Sequence, residues 1–522
     1  MKKKLLVVIT LLLLVGGCTT STGPASNSNS TPTTPAPAAA IPYSFSLDGF
    51  SIEGFPGLHS AVVAGAPEKL LIIGGRRNGL HGFPQGHDAA KGPSFPKTEA
   101  NDTIYALDLT NKKLLGTAPV GTLPLKVANQ FKATNTEYEL VNGWLYIMGG
   151  YGADSKTGTL STLGYVTVVN FDALANAVIN KQPLDAAFAS ANVVQFDHPA
   201  LAITGGDLDV LPDSSGATSF VLAFGQQYDG DYTVSGGLTN QVYSDGVRVF
   251  QFTYPANSNK PSGVNFLAAV PNPPGTQMDP ENPYHRRDYT LKASLDSSGN
   301  RRLVAYGGVF KGGRVEGFLN PVFIGPGSKT VTVTPNTSTS QLMNQYDTAA
   351  IQLFDNRAGS QTIYTTFFGG ISQYYWDAAT KSLKHDELNL SQGIDGLPFI
   401  NSISTLKMPV SNDTGTQYLH VGQTMPPTSP KLPSCSTTTA NPVDAPYGGA
   451  ECKFVIASGL PQATPGVLQL SAITTTSVAG YLVGGIASTA PYPNSATCAC
   501  NMFYKVTLDP TKPTNTVELQ KP

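Results

Sequence analysis

The chain has 522 residues, and its 33 Lys and Arg nearly balance its 35 Asp and Glu, for a formal net charge of -2. Only 13% of the residues are charged and no basic stripe is present, which argues against a nucleic-acid partner. With 53 glycines, 40 prolines and no long amphipathic helical pattern, the composition favours a turn-rich all-β fold.

The first 17 residues are typical of an export signal. Lys2–Lys4 supply a positive start, and Leu5–Val15 form an apolar run too short for an ordinary membrane-spanning helix. The run ends in Val15-Gly16-Gly17-Cys18, which resembles the bacterial lipobox. The resemblance implies that 1–17 is a lipoprotein signal peptide, and that Cys18 is lipidated, carries palmitate and starts the mature chain.

Residues 18–41 form the predicted tether. Their Ser, Thr, Pro and Ala content cannot bury a core and keeps the chain extended, so the membrane is the expected partner at this end. Thr19 follows the anchor cysteine where an aspartate would signal retention in the inner membrane. By resemblance to sorting in Gram-negative bacteria, we expect an envelope protein of the outer membrane, with the periplasmic or surface face left open.

The rest of the chain repeats a short pattern, an apolar run that ends in glycine. Consecutive apolar residues suit a strand buried on both faces, and the glycines allow a sharp turn after it. Copies recur about every 53 to 82 residues, which indicates one repeated supersecondary unit. The copies are Leu70–Gly75, Leu145–Gly150, Val221–Gln226, Leu303–Gly308, Thr366–Gly370, Tyr418–Gln423 and Tyr481–Gly485.

The first copy is followed by Asn101-Asp102-Thr103-Ile104-Tyr105-Ala106-Leu107-Asp108, and together they resemble the kelch repeat. The stretch 285–375 is also similar to an uncharacterised branch of secreted kelch-like bacterial proteins. The resemblance implies a kelch-type β-propeller over 42–522, a single domain with a long insertion near 424–452. We expect seven blades, with six as the alternative. Kelch repeats often carry a later tryptophan, and this chain has only Trp144 and Trp376.

Four cysteines follow the anchor, namely Cys435, Cys452, Cys498 and Cys500. An even number in an exported chain predicts disulfides. A bond between Cys498 and Cys500 would close a very small ring, so bonds from this pair to Cys435 and Cys452 are favoured. A four-thiolate metal site is the rival interpretation, but the oxidising compartment favours disulfides.

Candidate ligand-binding residues follow from propeller geometry. The loops after each second strand and before each first strand converge at one mouth of the channel, and there this chain places Arg, Tyr, Gln and Asp. Guanidinium groups and aromatic faces suit carboxylates and sugar rings. The alternative is that these residues lock neighbouring blades together. The candidates are Arg76, Arg77, His285, Arg286, Arg287, Asp288, Tyr346, Asp347, Gln373 and Tyr375.

Catalytic motifs are absent from the sequence: no histidine pair has helical metal-ligand spacing, and no Gly-x-Ser-x-Gly elbow occurs. We therefore assign no catalytic residue and expect no metal and no cofactor. The sequence favours a protein that binds a protein or a glycan at the mouth rather than an enzyme. The alternative is a carbohydrate-active or sugar-acid isomerising enzyme that uses Arg286, Arg287 and Asp288 with a histidine; a passive surface scaffold is a third possibility. A propeller can host each of these.

Overall fold

The computed structural model describes residues 40–81, 94–213, 215–232, 240–271, 281–313, 316–327, 330–357, 361–386, 397–427, 445–492 and 497–522. The predicted signal peptide, Cys18, the tether up to 39, Cys435 and residues 428–444 of the predicted insertion lie outside these ranges. Residues Ala39–Pro522 form one compact unit.

Sheets 1 and 2 occupy the first part of this unit, after strand β1 (Ser44–Ser51). The Leu-Leu-Ile-Ile run of the first repeat is buried on both faces, as four consecutive apolar residues require. Sheet 1 has the order β2 (Val62–Ala66), β3 (Lys69–Ile73), β4 (Thr103–Asp108) and β5 (Lys113–Pro119). Sheet 2 has the order β6 (Glu137–Val141), β7 (Trp144–Met148), β10 (Tyr165–Asn170) and β11 (Val193–Asp197), with the hairpin β8 (Tyr151–Ala153) and β9 (Leu160–Thr162) beside it.

Three helices accompany these two sheets: α1 (Leu125–Phe131), α2 (Phe171–Ile179) and α3 (Ala186–Asn192). The side chains of Asn170 and Asp185 cap α2 and α3 by accepting backbone N–H groups of the first turn. Single 3-10 turns occur at Lys97–Glu99, Pro199–Leu201, Lys311–Gly313 and Leu470–Ala472.

Sheets 3 and 4 repeat the same antiparallel arrangement. Sheet 3 has the order β12 (Asp207–Pro212), β13 (Thr218–Ala223), β16 (Val247–Thr253) and β17 (Gly263–Val270), with the hairpin β14 (Gln226–Tyr228) and β15 (Gln241–Tyr243). Sheet 4 has the order β18 (Thr290–Leu295), β19 (Arg301–Tyr306), β20 (Val322–Pro326) and β21 (Val331–Pro335).

Sheet 5 is larger because short strands extend a four-stranded centre on both sides. The centre has the order β22 (Ala350–Asp355), β23 (Thr362–Ile371), β26 (Phe399–Pro409) and β27 (Thr416–Thr424). The hairpin beside it is β24 (Tyr374–Asp377) and β25 (Ser382–His385), and a separate strand, β28 (Tyr447–Ala450), follows.

Sheet 6 joins the two ends of the described chain. Its order is β29 (Lys453–Ile456), β32 (Ser477–Val483), β35 (Met502–Asp509) and then β1, whose register pairs Ser44 with Asp509. The remaining strands are β30 (Gln462–Thr464) and β31 (Val467–Gln469) beside β22, β33 (Ile486–Ser488) and β34 (Thr497–Ala499) beside β28, and β36 (Thr516–Glu518) beside β27.

Six of the seven apolar-glycine copies end the second strand of a sheet, but the copy Tyr418–Gln423 lies in β27, the fourth strand of the centre of sheet 5. The fifth and sixth sequence units therefore share one sheet, because β23 pairs with β26 and β26 with β27. The described residues thus contain six sheets with a four-stranded antiparallel core, not the seven that the repeats predict.

Each of the six sheets packs against two others. The first strands contact one another in the order β2, β6, β12, β18, β22, β29 and again β2. Buried apolar clusters fill the spaces between the sheets, each burying side chains worth roughly 1.5–3 kcal/mol apiece. Representative pairs within one cluster are Leu71 and Leu145, Tyr146 and Phe220, Val221 and Leu303, Tyr306 and Phe367, Leu353 and Leu482, and Tyr481 and Leu70.

Candidate functional site

A ring of six residues lies where the six first strands begin, each member two or three positions before its strand. The members are Ser60, Asn135, Gly205, Asp288, Asp347 and Glu451. Four backbone N–H groups donate to the next member's carbonyl at 2.7–3.0 Å: Asn135 to Ser60, Asp288 to Gly205, Asp347 to Asp288, and Glu451 to Asp347. The Thr204 hydroxyl donates to Asn135 O, and the Ser60 hydroxyl donates to the Glu451 carboxylate. Hydrogen bonds therefore link the ring all the way round.

The ring holds unusual backbone conformations. Five members have positive φ, including Ser60 at 52°, Asp288 at 50° and Glu451 at 53°. Such a conformation costs a residue with a side chain on the order of 1 kcal/mol, and it is found preferentially at functional sites. The hydrogen bonds around the ring hold these residues in place.

A pocket lies against this ring, and we call it the mouth pocket. Ring members contribute to its wall, and the other side chains that line it come from the loops around them. Its main lining side chains are His59, Ser60, Arg76, Phe95, Tyr151, Tyr232, Arg287, Asp288, Tyr346 and Glu451. Four of the ten residues predicted from the sequence, Arg76, Arg287, Asp288 and Tyr346, thus lie together here.

Arg76 is a buried cation without a carboxylate partner among the described residues. It is 5% exposed, and its Nε donates to Asn78 Oδ1 at 3.0 Å and its Nη2 to Pro96 O at 3.0 Å. The guanidinium also lies over the Phe95 ring, 4.9 Å from the centroid. Burial lowers the pKa of Arg76 to about 10, so the group is still charged at neutral pH.

Arg287 is held by a different set of partners. Its Nη1 donates to Gln226 Oε1 at 2.7 Å, its Nη2 to the Tyr232 hydroxyl at 2.9 Å, and its Nε to Asp288 Oδ2 at 3.1 Å. Burial alone would lower the pKa of Arg287, but the neighbouring tyrosines and Asp288 outweigh it and raise the pKa. Burial raises the pKa of Asp288 to about 7 even with this guanidinium beside it. Asp288 can therefore carry a proton near neutral pH.

Glu451 and His59 form a second polar group in the wall. Glu451 Oε1 accepts the Tyr346 hydroxyl at 3.0 Å, and Oε2 lies 3.0 Å from His59 Nδ1. Burial alone would raise the pKa of Glu451, but the contacts with His59 and Tyr346 bring it below its usual value. Glu451 is therefore an anion held on both of its oxygens.

A larger cavity continues along the first strands on the far side of the ring. Asp347 lies there rather than in the mouth pocket, and its carboxylate accepts Lys453 Nζ at 2.8 Å. Burial raises the pKa of Asp347, and it raises that of Asp207 in the same cavity to about 6.

Arg286 and His285 have structural partners away from the mouth pocket. Arg286 is fully buried, and its guanidinium donates to three carbonyl oxygens, those of Pro283, Gly307 and Asn320, at 2.6–3.3 Å. His285 Nδ1 lies 2.7 Å from Asp245 Oδ1, and its ring stacks on Tyr243 at 3.8 Å. Neither side chain lines the mouth pocket, so the structure corrects their predicted ligand-binding role. Arg286 instead ties loops together, which the sequence left as the alternative.

Three further predicted residues also lie elsewhere. Arg77 is exposed and donates to Thr98 O at 2.6 Å. Gln373 is buried and lies 2.8 Å from His385 Nε2. Tyr375 lines a separate pocket that also includes Trp376. Their loops follow second strands, as predicted, but their side chains do not reach the mouth pocket.

The cysteines differ from the prediction in part. Cys452 and Cys500 are free, buried thiols, so the predicted disulfides to these two residues are wrong. Cys498 is disulfide-bonded, and Cys435 lies outside the described residues. Burial in an apolar cluster raises the pKa of both free thiols, Cys500's to about 11.

The sequence analysis missed His59, Ser60 and Glu451, although a signal was available. Asp288 and Asp347 were found because they precede first strands, and Ser60 and Glu451 hold the equivalent positions before β2 and β29. The strand β29 was not recognised, so Glu451 was not considered. The ring position, rather than the residue type, carried the information.

Among the described residues, no group of three His, Cys, Asp or Glu side chains could hold a metal ion. No helix in the same ranges is both long and apolar enough to cross a membrane.

No known family model matches this chain, and no curated protein matches it. Among solved structures, one titled "Structure of YjhT" is 11% identical in sequence, with a TM-score of 0.39. The match covers 88% of this chain and 99% of that chain.

Proposed function

We propose that the mouth pocket binds a small hydroxylated carboxylate of the sugar-acid class. The observation that carries the proposal is Arg76, a buried guanidinium that meets only neutral acceptors among the described residues. Leaving a buried charge without a counter-charge is costly, so such a cation is expected where an anionic ligand completes the site. A planar guanidinium also matches a carboxylate in geometry.

The other walls suit the rest of such a ligand. Phe95, Tyr151 and Tyr232 offer aromatic surface, with Phe95 and Tyr232 ring centroids 5.6 Å apart. Asp288 and Glu451 offer acceptors for ligand hydroxyl groups. Apolar faces with a few fixed polar groups are typical of small-molecule sites.

Burial favours a small ligand over a protein or a long glycan. Arg76, Arg287 and His59 are each 5% exposed, so a broad partner surface would not reach them. The predicted protein-binding role is therefore less well supported than small-molecule binding at this pocket.

For the fold, we propose a kelch-type β-propeller with six blades. Support comes from the six sheets, from the cyclic contacts of their first strands, and from the pairing of β1 with β35. A strand from the N-terminal end in the last sheet would join the ends of such a ring of blades.

We also propose that the protein is anchored in the bacterial envelope through lipidated Cys18. The lipobox-like sequence before Cys18 supports this, and metabolic labelling with radioactive palmitate tests it. Label should enter the wild type and be absent from a Cys18→Ala variant. Equal labelling of both would contradict the anchor.

The ligand proposal is tested by a thermal-shift screen of the full chain in detergent. Uronic and aldonic acids are compared with the matching neutral sugars, using wild type, Arg76→Gln and the adjacent exposed control Arg77→Gln. We expect an acid to raise the Tm of the wild type and of Arg77→Gln, but not of Arg76→Gln. Equal shifts in both variants, or shifts with none of the acids, would contradict the proposal.

A further inference from the structure

His59 is a buried histidine with one nitrogen left over. It is 5% exposed and lies beside Arg76 in the chain of backbone contacts, with its N–H donating to Arg76 O at 3.2 Å. Its Nε2 is buried and has no hydrogen-bond partner among the described residues, although the side chain lines the mouth pocket. An unpaired buried nitrogen costs about 1–3 kcal/mol, so its presence in a pocket points to a ligand.

The partners of Nδ1 decide which nitrogen carries the proton. Nδ1 lies 3.0 Å from Glu451 Oε2 and 2.8 Å from Ser60 Oγ. The Ser60 hydroxyl already donates to Glu451, so both atoms near Nδ1 act as acceptors. The proton therefore sits on Nδ1, and Nε2 keeps a lone pair that can accept a proton.

This arrangement differs from a hydrolase triad. In such a triad the serine hydroxyl lies beside Nε2 and the carboxylate beside Nδ1. Here Ser60 and Glu451 both lie beside Nδ1. Ser60 is therefore not placed as a nucleophile, and its role is to orient the histidine and the carboxylate.

A proton donor lies in the same pocket. Asp288 is a ring member like Glu451, and Asp347 connects the two through backbone hydrogen bonds of 2.8 and 2.7 Å. Arg287 Nε holds Asp288 Oδ2, while Oδ1 has no hydrogen-bond partner among the described residues. The pocket thus contains an anion receptor, a proton acceptor and a carboxyl group that can donate.

We propose that the mouth pocket enolises a 2-oxo acid, with His59 as the proton acceptor and Asp288 as the proton donor; this rests on the proposed binding of a carboxylate by Arg76. The C3–H bond of the ligand breaks and its proton passes to His59 Nε2, while its electron pair forms the C2=C3 bond. The C2=O π pair moves to oxygen, which takes the proton of the Asp288 carboxyl group. Return of a proton to C3 regenerates the oxo acid or its C3 epimer, so no oxidant or co-reactant is needed.

Hydrogen–deuterium exchange tests the chemistry. The full chain in detergent is incubated with 2-keto-3-deoxygluconate in D2O, and NMR follows loss of the C3 protons. We expect exchange with wild type to be at least 100-fold faster than with His59→Gln. His285→Gln is the matched control, since His285 also has a carboxylate on Nδ1 but lies outside the mouth pocket; we expect wild-type exchange from it.

Binding of the same probe, measured by calorimetry, separates the two proposals. If the probe binds through Arg76 and C3 exchange is no faster than in buffer, the catalytic inference is overturned and the binding proposal stands. If the probe and the sugar acids all fail to bind, the binding proposal fails with it.

A ligand-free measurement tests the same base. 15N NMR should show His59 as the neutral tautomer protonated at Nδ1, identified by loss of its signals in His59→Gln. Glu451→Gln should keep the fold and weaken this preference, because Glu451 positions the ring. A His59 protonated at Nε2 in the wild type would overturn the inference.

Discussion

Two buried arginines show how the same side chain serves different roles here. Arg286 directs its N–H groups at three backbone carbonyls and lines no part of the mouth pocket, whereas Arg76 lines it and keeps Nη1 without a partner in the described ranges. Burial lowers the pKa of Arg286 to about 9 and that of Arg76 to about 10. The acceptors, not the burial, distinguish a structural arginine from a candidate ligand-binding one.

Replacing Arg286 should therefore affect stability. Arg286→Gln removes hydrogen bonds to carbonyls that stay buried, and we expect a loss of about 3 kcal/mol in the free energy of unfolding. Urea denaturation measures it, with exposed Arg77→Gln as control, expected within about 0.5 kcal/mol of wild type. Similar stabilities for the two variants would contradict the structural role of Arg286.

Asp207 should make stability depend on pH. Burial raises its pKa in the folded protein to about 6, above the ordinary value of 3.8. Its contribution is present below about pH 4 and is lost as the pH rises through 6, because the folded state then has to release a proton that it binds tightly.

Asp207→Asn stays neutral at every pH and avoids this loss. The variant should gain about 2 kcal/mol relative to wild type between pH 4 and pH 8, measured by urea denaturation at both values. A difference that does not change with pH would show that Asp207 is not perturbed in this way.

At the scale of the element, the glycine pairs explain why the repeats are visible in the sequence. Gly149 has φ of 56°, and a Cβ at this position would lie 2.1 Å from Ile203 O in the loop before the next sheet. Only glycine allows this approach. The pattern therefore reports the end of a second strand, and in six sheets it does so correctly.

Two glycines of sheet 2 separate backbone strain from steric overlap. Gly143 has φ of 79°, and a Cβ added there would meet no atom within 4 Å, unlike one at Gly149. We expect Gly143→Ala to cost about 1 kcal/mol and Gly149→Ala to cost about 3 kcal/mol more, by chemical denaturation. Equal losses would mean that the contact with Ile203 carries no cost.

The sequence predicted the strands better than their grouping. Apolar runs such as Leu70–Ile73 and alternating runs such as Thr103–Asp108 are strands, because burial pattern and strand period are local properties. The seventh unit failed because Val421-Gly422 in β27 imitates the end of a second strand. Which strands share a sheet depends on pairing between distant segments, and local pattern does not contain it.

The same limit applies to the site. Four predicted residues lie in the mouth pocket because their loops were placed correctly, but Arg286 and Gln373 turn inward to buried partners. Loop position follows from strand order, whereas side-chain direction follows from packing. His59 was missed because its importance depends on Glu451, 392 positions away.

At the scale of the whole molecule, β1 connects the start of the described chain to its end. β1 pairs with β35 over eight residues, and Phe45 belongs to a buried cluster with Leu353 and Leu482. A chain that starts at Ile52 should lose cooperative unfolding, because sheet 6 loses an edge strand and its buried side chains. A chain that starts at Ala39 is the control, and differential scanning calorimetry should show it unfolding like the full chain. Equal Tm values for both truncations would contradict this role of β1.

The most direct test of the account is a calorimetric cycle at the mouth pocket. An acid identified in the screen and its neutral sugar are each titrated into wild type and Arg76→Gln. We predict that the acid binds wild type at least tenfold more tightly than the variant, and that the neutral sugar binds both equally. If the variant weakens acid and neutral sugar by the same factor, Arg76 does not recognise the carboxylate and the proposed function is wrong.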